Sequence, residues 1–187
     1  MRSITPGVRA RDATYRDAAA IAAIGTEAMP VQYAGLVDPT AVDAAVRQTY
    51  SPAALTDCME RCREASDAFF LVAEQSRQVA GFLHFDCFGP EPELHRLYVD
   101  GTYRAAGIGT LLMNELHARL PTELEYMLLV VAGNDGAVRF YRRHGLEVAQ
   151  LVDGLVYYCE RMGVSFPTGT RPFSLVLMRR RAPREAF

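Results

Sequence analysis

Apolar and polar positions change period several times along the chain, and each change predicts an element. Residues 8–12 alternate as an opening strand does, and residues 14–28 then carry apolar side chains at helical spacing behind a Thr cap signal. Residues 29–40, with Pro30, Gly35 and Pro39, read as a loop, and residues 41–65 read as a helical stretch split at Ser51-Pro52. Two segments rich in Phe, Val and Leu, 68–74 and 78–87, flank a short polar turn in a hairpin pattern, and 93–99 is a third strand in the same run. Helical spacing returns over 107–120, strand character over 125–132, and a helix over 134–144 stops at Gly145, the residue type expected at a left-handed cap. Residues 146–152 and 173–178 are the last strands, separated by a long stretch containing Gly and Pro. The order predicts a mixed α/β fold with a largely antiparallel sheet, built as one domain over residues 1–187 with its core at about 8–180.

Composition narrows the partners. A net charge of −2 gives no general attraction for a polyanion, so nucleic acid is not an expected partner. All 20 basic residues are Arg, and Arg179 to Arg181 form a basic run near the chain end that reads as solvated. No apolar run approaches the ~20 residues that span a bilayer, and none of the signal-peptide kind follows Met1 to Pro6. A cytoplasmic protein without a membrane partner is the expectation, as monomer or homodimer. Cys58 and Cys62 share a helix face but lack two further ligands at zinc spacing, so buried thiols are expected and no metal site.

The chemistry is concentrated after the third central strand. Leu94-His95-Arg96-Leu97-Tyr98-Val99 leads through a loop into Arg104-Ala105-Ala106-Gly107-Ile108-Gly109-Thr110, where a helix begins. Backbone N–H groups at a helix N-terminus lack partners and carry the positive end of the macrodipole, so they suit a pyrophosphate when small residues leave the approach open. Glycine at 107 and 109 does so, and Arg104 adds a fixed charge. A dinucleotide fingerprint would need a small residue where Leu112 stands, and a triphosphate loop would need a lysine.

Arg104-x-x-Gly107-x-Gly109, followed by Asn134-Asp135-Gly136-Ala137-Val138-Arg139-Phe140-Tyr141, resembles the two donor motifs of the GNAT N-acetyltransferases in their usual order. The resemblance implies a central, mostly antiparallel sheet splayed around acetyl-CoA and flanked by helices. It also implies that the pantetheine arm pairs with the main chain of Leu97, Tyr98 and Val99 and that the phosphates meet residues 104–110. Asn134 would then contact the donor, and Tyr141 would protonate the departing thiolate. The expected reaction is direct transfer of acetyl to a primary amine of a small molecule or peptide. A coenzyme A-binding sensor or interaction module without turnover is the alternative.

An attacking amine must be neutral, and an alkylammonium with pKa about 10 is almost wholly charged at neutral pH. Glu93 is the candidate base, read as lying on the pleat face of His95, Leu97 and Val99. A solvated carboxylate at a strand start is the plainer reading of the same residue, with Glu91 and His95 as substitutes for the role. Family members that acetylate ribosomal-protein N-termini carry Glu five residues before the Asn, where this chain has Leu129, so that acceptor is disfavoured. The resemblance places the acceptor near residues 29–40 and 153–172, which hold Tyr33, Asp38, Tyr157, Tyr158 and Glu160.

Overall fold

A computed structural model describes residues 7–103 and 105–182. β1 (Val8–Asp12) passes through a 3-10 turn into α1 (Ala18–Tyr33), α2 (Pro39–Thr49) and α3 (Pro52–Glu64). β2 (Phe69–Gln75), β3 (Gln78–Asp86), β4 (Glu93–Val99), α4 (Ile108–Arg119) and β5 (Tyr126–Val131) follow, then α5 (Asp135–Arg143), β6 (Leu146–Asp153), α6 (Gly154–Met162) and β7 (Ser174–Arg180). The strands form one sheet in the order β1-β2-β3-β4-β5-β7-β6. Its neighbours are antiparallel except β4 and β5, which run parallel.

The apolar run of β2 is buried on both sides of the sheet. Phe70 and Val72 pack toward α1, α2 and α3, while Leu71 and Ala73 pack toward α4. That two-sided burial explains why the central strands read as continuous apolar segments. Ser51 and Pro52 do split the helical stretch. The Ser51 hydroxyl accepts from Ala54 N at 3.2 Å and Pro52 takes the first turn of α3, where its missing N–H costs nothing. Asp38 caps α2 in the same way, accepting from Thr40 N at 2.9 Å ahead of Pro39.

Two expectations are corrected. The helix over 14–28 starts later and runs on through Pro30 to Tyr33, because Met29 and Tyr33 are buried in the core and their packing outweighs the bond that Pro30 removes. The stretch before the last strand contains α6, whose N-cap Asp153 accepts from Val156 N at 3.0 Å and whose C-cap Gly163 sits in the left-handed region. Among the described residues, no helix is long and apolar enough to cross a membrane.

The feature that positions the site is the seam between β4 and β5. Glu93 pairs with Met127 and Leu94 with Leu128, and the register records no further pair along these strands. On the other side of β4, Leu94 pairs with Phe85 and Arg96 with His84, so His95 is an extra residue in a bulge. A bulge bends its strand and raises the local twist. Past the bulge β4 has no pair with β5, so the β5-facing edge of the Leu97 to Val99 segment opens on a wedge while its other edge stays paired with β3.

Candidate active site

α4 begins at the mouth of this wedge. Gly107, its N-cap, has φ 79°, and Ala105 just before it has φ 67°, a left-handed backbone that strains any residue with a Cβ. The first bond of the helix runs from Leu111 N to Gly107 O at 2.9 Å, so the N–H groups of Ile108, Gly109 and Thr110 precede the helical ladder. Thr110 is exposed. Arg104 lies outside the described residues. Gly109 has a second reason to be glycine: a Cβ there would sit 3.2 Å from the Phe140 ring of α5 and 3.5 Å from Leu97. Its smallness lets α4, α5 and β4 meet closely at the donor motif.

The bulge also corrects the expected pleat face. Leu97 and Val99 pack with Leu112 and Met113 of α4, while Tyr98 packs on the opposite side with Tyr50 and Phe82. Glu93 is on the Tyr98 side, where its carboxylate accepts from the Tyr157 hydroxyl of α6. Glu93 and Leu97 are four apart but face different layers, since the extra residue shifts the alternation by one.

Asn134 and Tyr141 frame α5. Asn134 is its N-cap, with Oδ1 accepting from Ala137 N at 3.1 Å. Tyr141 is half-buried beside Phe140, ring centroids 5.2 Å apart, and packs with the α4 layer. Desolvation raises the Tyr141 phenol above its ordinary range, so it is protonated at neutral pH.

Glu93 is 3% exposed, which excludes the solvated-carboxylate reading. His95 bridges it to Asp86: Nδ1 lies 3.3 Å from Glu93 Oε1 and Nε2 lies 3.1 Å from Asp86 Oδ1. His84 stacks on His95 at 4.9 Å between centroids and places Nε2 3.2 Å from Asp86 Oδ2. Arg161 Nη2 stands 3.8 Å from Glu93 Oε2. Burial opposes charge on His95, but Asp86 and Glu93 outweigh it and bring its pKa up to about 9. Burial, with the cations Arg96 and His95 nearby, holds His84 down at about 3 despite Asp86. At neutral pH the stacked pair therefore carries one positive charge, on His95.

The linkage of these two histidines has opposite signs. His95 binds its proton more tightly folded than unfolded, so its contribution is complete below pH about 6.5 and is lost as pH rises through 9. His84 resists protonation when folded, so stability falls as pH drops from about 6.5 toward 3. Denaturant unfolding against pH is expected to peak near pH 6.5, with losses of roughly 1–3 kcal/mol on either side. His95→Gln should flatten the alkaline limb alone. An unchanged limb in that variant would exclude His95 as its source.

Of the acceptor-side residues, Tyr33 and Tyr158 are brought together, hydroxyl to hydroxyl at 2.9 Å, and Tyr157 reaches Glu93. Asp38 is occupied as a helix cap, and Glu160 is exposed. Asp86 and His84 were not singled out by sequence, and neither was Arg96. Arg96 is 9% exposed and lies with its guanidinium 5.4 Å from the centroid of the Tyr50 ring.

This geometry can be set beside known proteins. A family model described as the acetyltransferase (GNAT) domain matches residues 66–148, from the hairpin through both donor motifs. An uncharacterized N-acetyltransferase of Methanocaldococcus jannaschii is 32% identical over 105 residues, covering 51% of this chain and 46% of that protein. The chain thus aligns with less than half the length of that relative. The spermidine N(1)-acetyltransferase of Thermoplasma acidophilum is 25% identical over 156 residues, 82% of this chain and 96% of that one. Residues 66–148 of the chain carry the acetyltransferase (GNAT) domain. Solved GNAT structures share its fold. The PaiA N-acetyltransferase of Thermoplasma acidophilum, in complex with coenzyme A, superposes with TM-score 0.75 at 23% identity over 93% of this chain and 98% of that one. A ribosomal-protein-alanine N-acetyltransferase of Brucella melitensis does so with TM-score 0.66 at 21% identity, over 91% and 98%. The splayed β4–β5 seam and the glycine-led α4 of this GNAT chain follow from its own register and dihedrals.

Proposed function

We propose that this GNAT chain transfers acetyl from acetyl-CoA to a primary amine of a small molecule or peptide, by direct attack with both substrates bound. The observation that carries the reading is the open wedge on β4 with the first N–H groups of α4, which lack a backbone partner among the described residues, at its mouth. A pyrophosphate meets the N–H groups of Ile108, Gly109 and Thr110, with residues 105–107 shaping the turn and Arg104 in the same motif. An extended, amide-bearing arm pairs along the β5-facing edge of the Leu97, Tyr98 and Val99 segment, whose other edge is taken by β3, gaining affinity without specific side chains. The bound thioester supplies the acyl group. Asn134 is read on the donor side, although its Oδ1 is already used in capping α5.

Glu93 takes a proton from the acceptor ammonium, directly or through one water; the freed amine attacks the thioester carbonyl, and the adduct loses its second N–H proton to water as the C–S bond breaks and Tyr141 gives a proton to the departing thiolate. Spermidine, the acceptor named for the Thermoplasma relative, supports an amine acceptor. The test is thiol release from acetyl-CoA across an amine panel, together with calorimetric titration of coenzyme A. Tyr141→Phe is expected to slow turnover about tenfold with little change in coenzyme A affinity, because a thiol with pKa near 8.5 leaves with little help. Full activity in that variant would remove Tyr141 from the proton path.

A further inference from the structure

Arg96 holds a buried charge that its surroundings do not balance. Its Nε and Nη1 have no hydrogen-bond partner among the described residues, although both atoms are shielded from solvent. The nearby carboxylates are engaged elsewhere: Asp86 by His84 and His95, and Glu93 by Tyr157, His95 and the more distant Arg161. What faces Arg96 is the ring of Tyr50, which is attractive but offers no acceptor for the free N–H groups. A cation withdrawn from water with donors unpaired is costly, and proteins retain such groups where a ligand completes them.

Arg96 lies in the bulge, just past the last β4–β5 pair, where the strands separate. The Tyr50 ring it faces belongs to the layer that holds Tyr98, Tyr33 and Tyr158; the last two bond hydroxyl to hydroxyl, which leaves one O–H of that pair able to donate to an anion. We propose that the acceptor of this enzyme is an amine that also bears a carboxylate, and that Arg96 holds this carboxylate while the amino group reaches the thioester. This rests on the acyltransfer reading above. One uncompensated cation matches a monoanion, so a carboxylate fits better than a phosphate dianion. A polyamine such as spermidine would bring like charge beside Arg96 and is disfavoured.

The experiment is steady-state acetyl transfer with acetyl-CoA to the common amino acids, their carboxamides and spermidine. The free acid is expected to exceed its carboxamide about a hundredfold in kcat/KM for the best scaffold, the scale of a charge-assisted contact. Arg96→Gln should erase that preference mainly through KM, and Arg96→Lys should keep part of it. Arg96→Met should raise Tm by roughly 2–4 °C, because an unpaired buried charge is replaced by an apolar side chain. Equal or better turnover of carboxamides or spermidine would overturn the assignment, as would a preference that survives in Arg96→Gln or a Tm that falls in Arg96→Met. If coenzyme A binds but no free acid reacts, the carboxylate assignment alone fails. If coenzyme A does not bind, the acyltransfer reading fails first and takes the proposal with it.

Discussion

Glu93→Gln is expected to lower turnover about 10²–10⁴-fold at neutral pH, the scale of a lost general base. The carboxylate is almost fully buried and held from two directions, by the Tyr157 hydroxyl and by the imidazolium of His95. The substitution is close to isosteric, so coenzyme A affinity should stay within a factor of about two to three. The rate should recover in part as pH rises toward the acceptor's own pKa, since more amine then arrives deprotonated. His95→Gln should act on the same step more weakly, because it removes a contact to the base and leaves the base in place. A wild-type pH–rate profile in Glu93→Gln would transfer the role to a water chain or to Glu91. Glu91 is less suited, because Arg179 binds it in two hydrogen bonds and lowers its pKa. Normal coenzyme A binding without thiol release for any amine would instead favour the non-catalytic module.

Much of this arrangement is legible in the sequence because local signals and tertiary packing agree. The period changes at β2, β3 and β4 and the glycine pair at the start of α4 mark elements whose burial follows the same pattern. The misses have separate physical causes. Pro30 signals a helix end, but Met29 and Tyr33 gain more from burial than the missing bond removes. α6 carries its own signature, Asp153 as cap and Gly163 as stop, and those caps could have been found within the Gly- and Pro-containing stretch. The bulge at His95 is different. It depends on how β4 registers against β3, and no pattern within β4 alone announces it. Arg96 was hidden for another reason: an arginine within a strand reads as solvent-facing, but both faces of β4 are covered by packed layers.

The second large effect concerns the donor end, where folding and binding should respond in opposite directions. Thr110→Glu places a carboxylate in the first turn of α4, beside N–H groups that precede the helical ladder. For the helix this is favourable, since an anion near the N-terminus complements the macrodipole by about 0.3–1 kcal/mol. For a pyrophosphate at the same N–H groups it is unfavourable. Two unit charges at about 4 Å repel by about 4 kcal/mol at an effective dielectric of 20, and the flexible side chain at an exposed position relieves much of that. The expected result is a Kd for coenzyme A raised about a hundredfold at low salt, less so at high salt, with Tm unchanged or slightly higher. Gly109→Val is a poorer probe, because its side chain would also collide with Phe140 and Leu97 and disturb packing as well as binding. Unchanged coenzyme A affinity in a folded Thr110→Glu protein would mean that the phosphates do not sit at the start of α4.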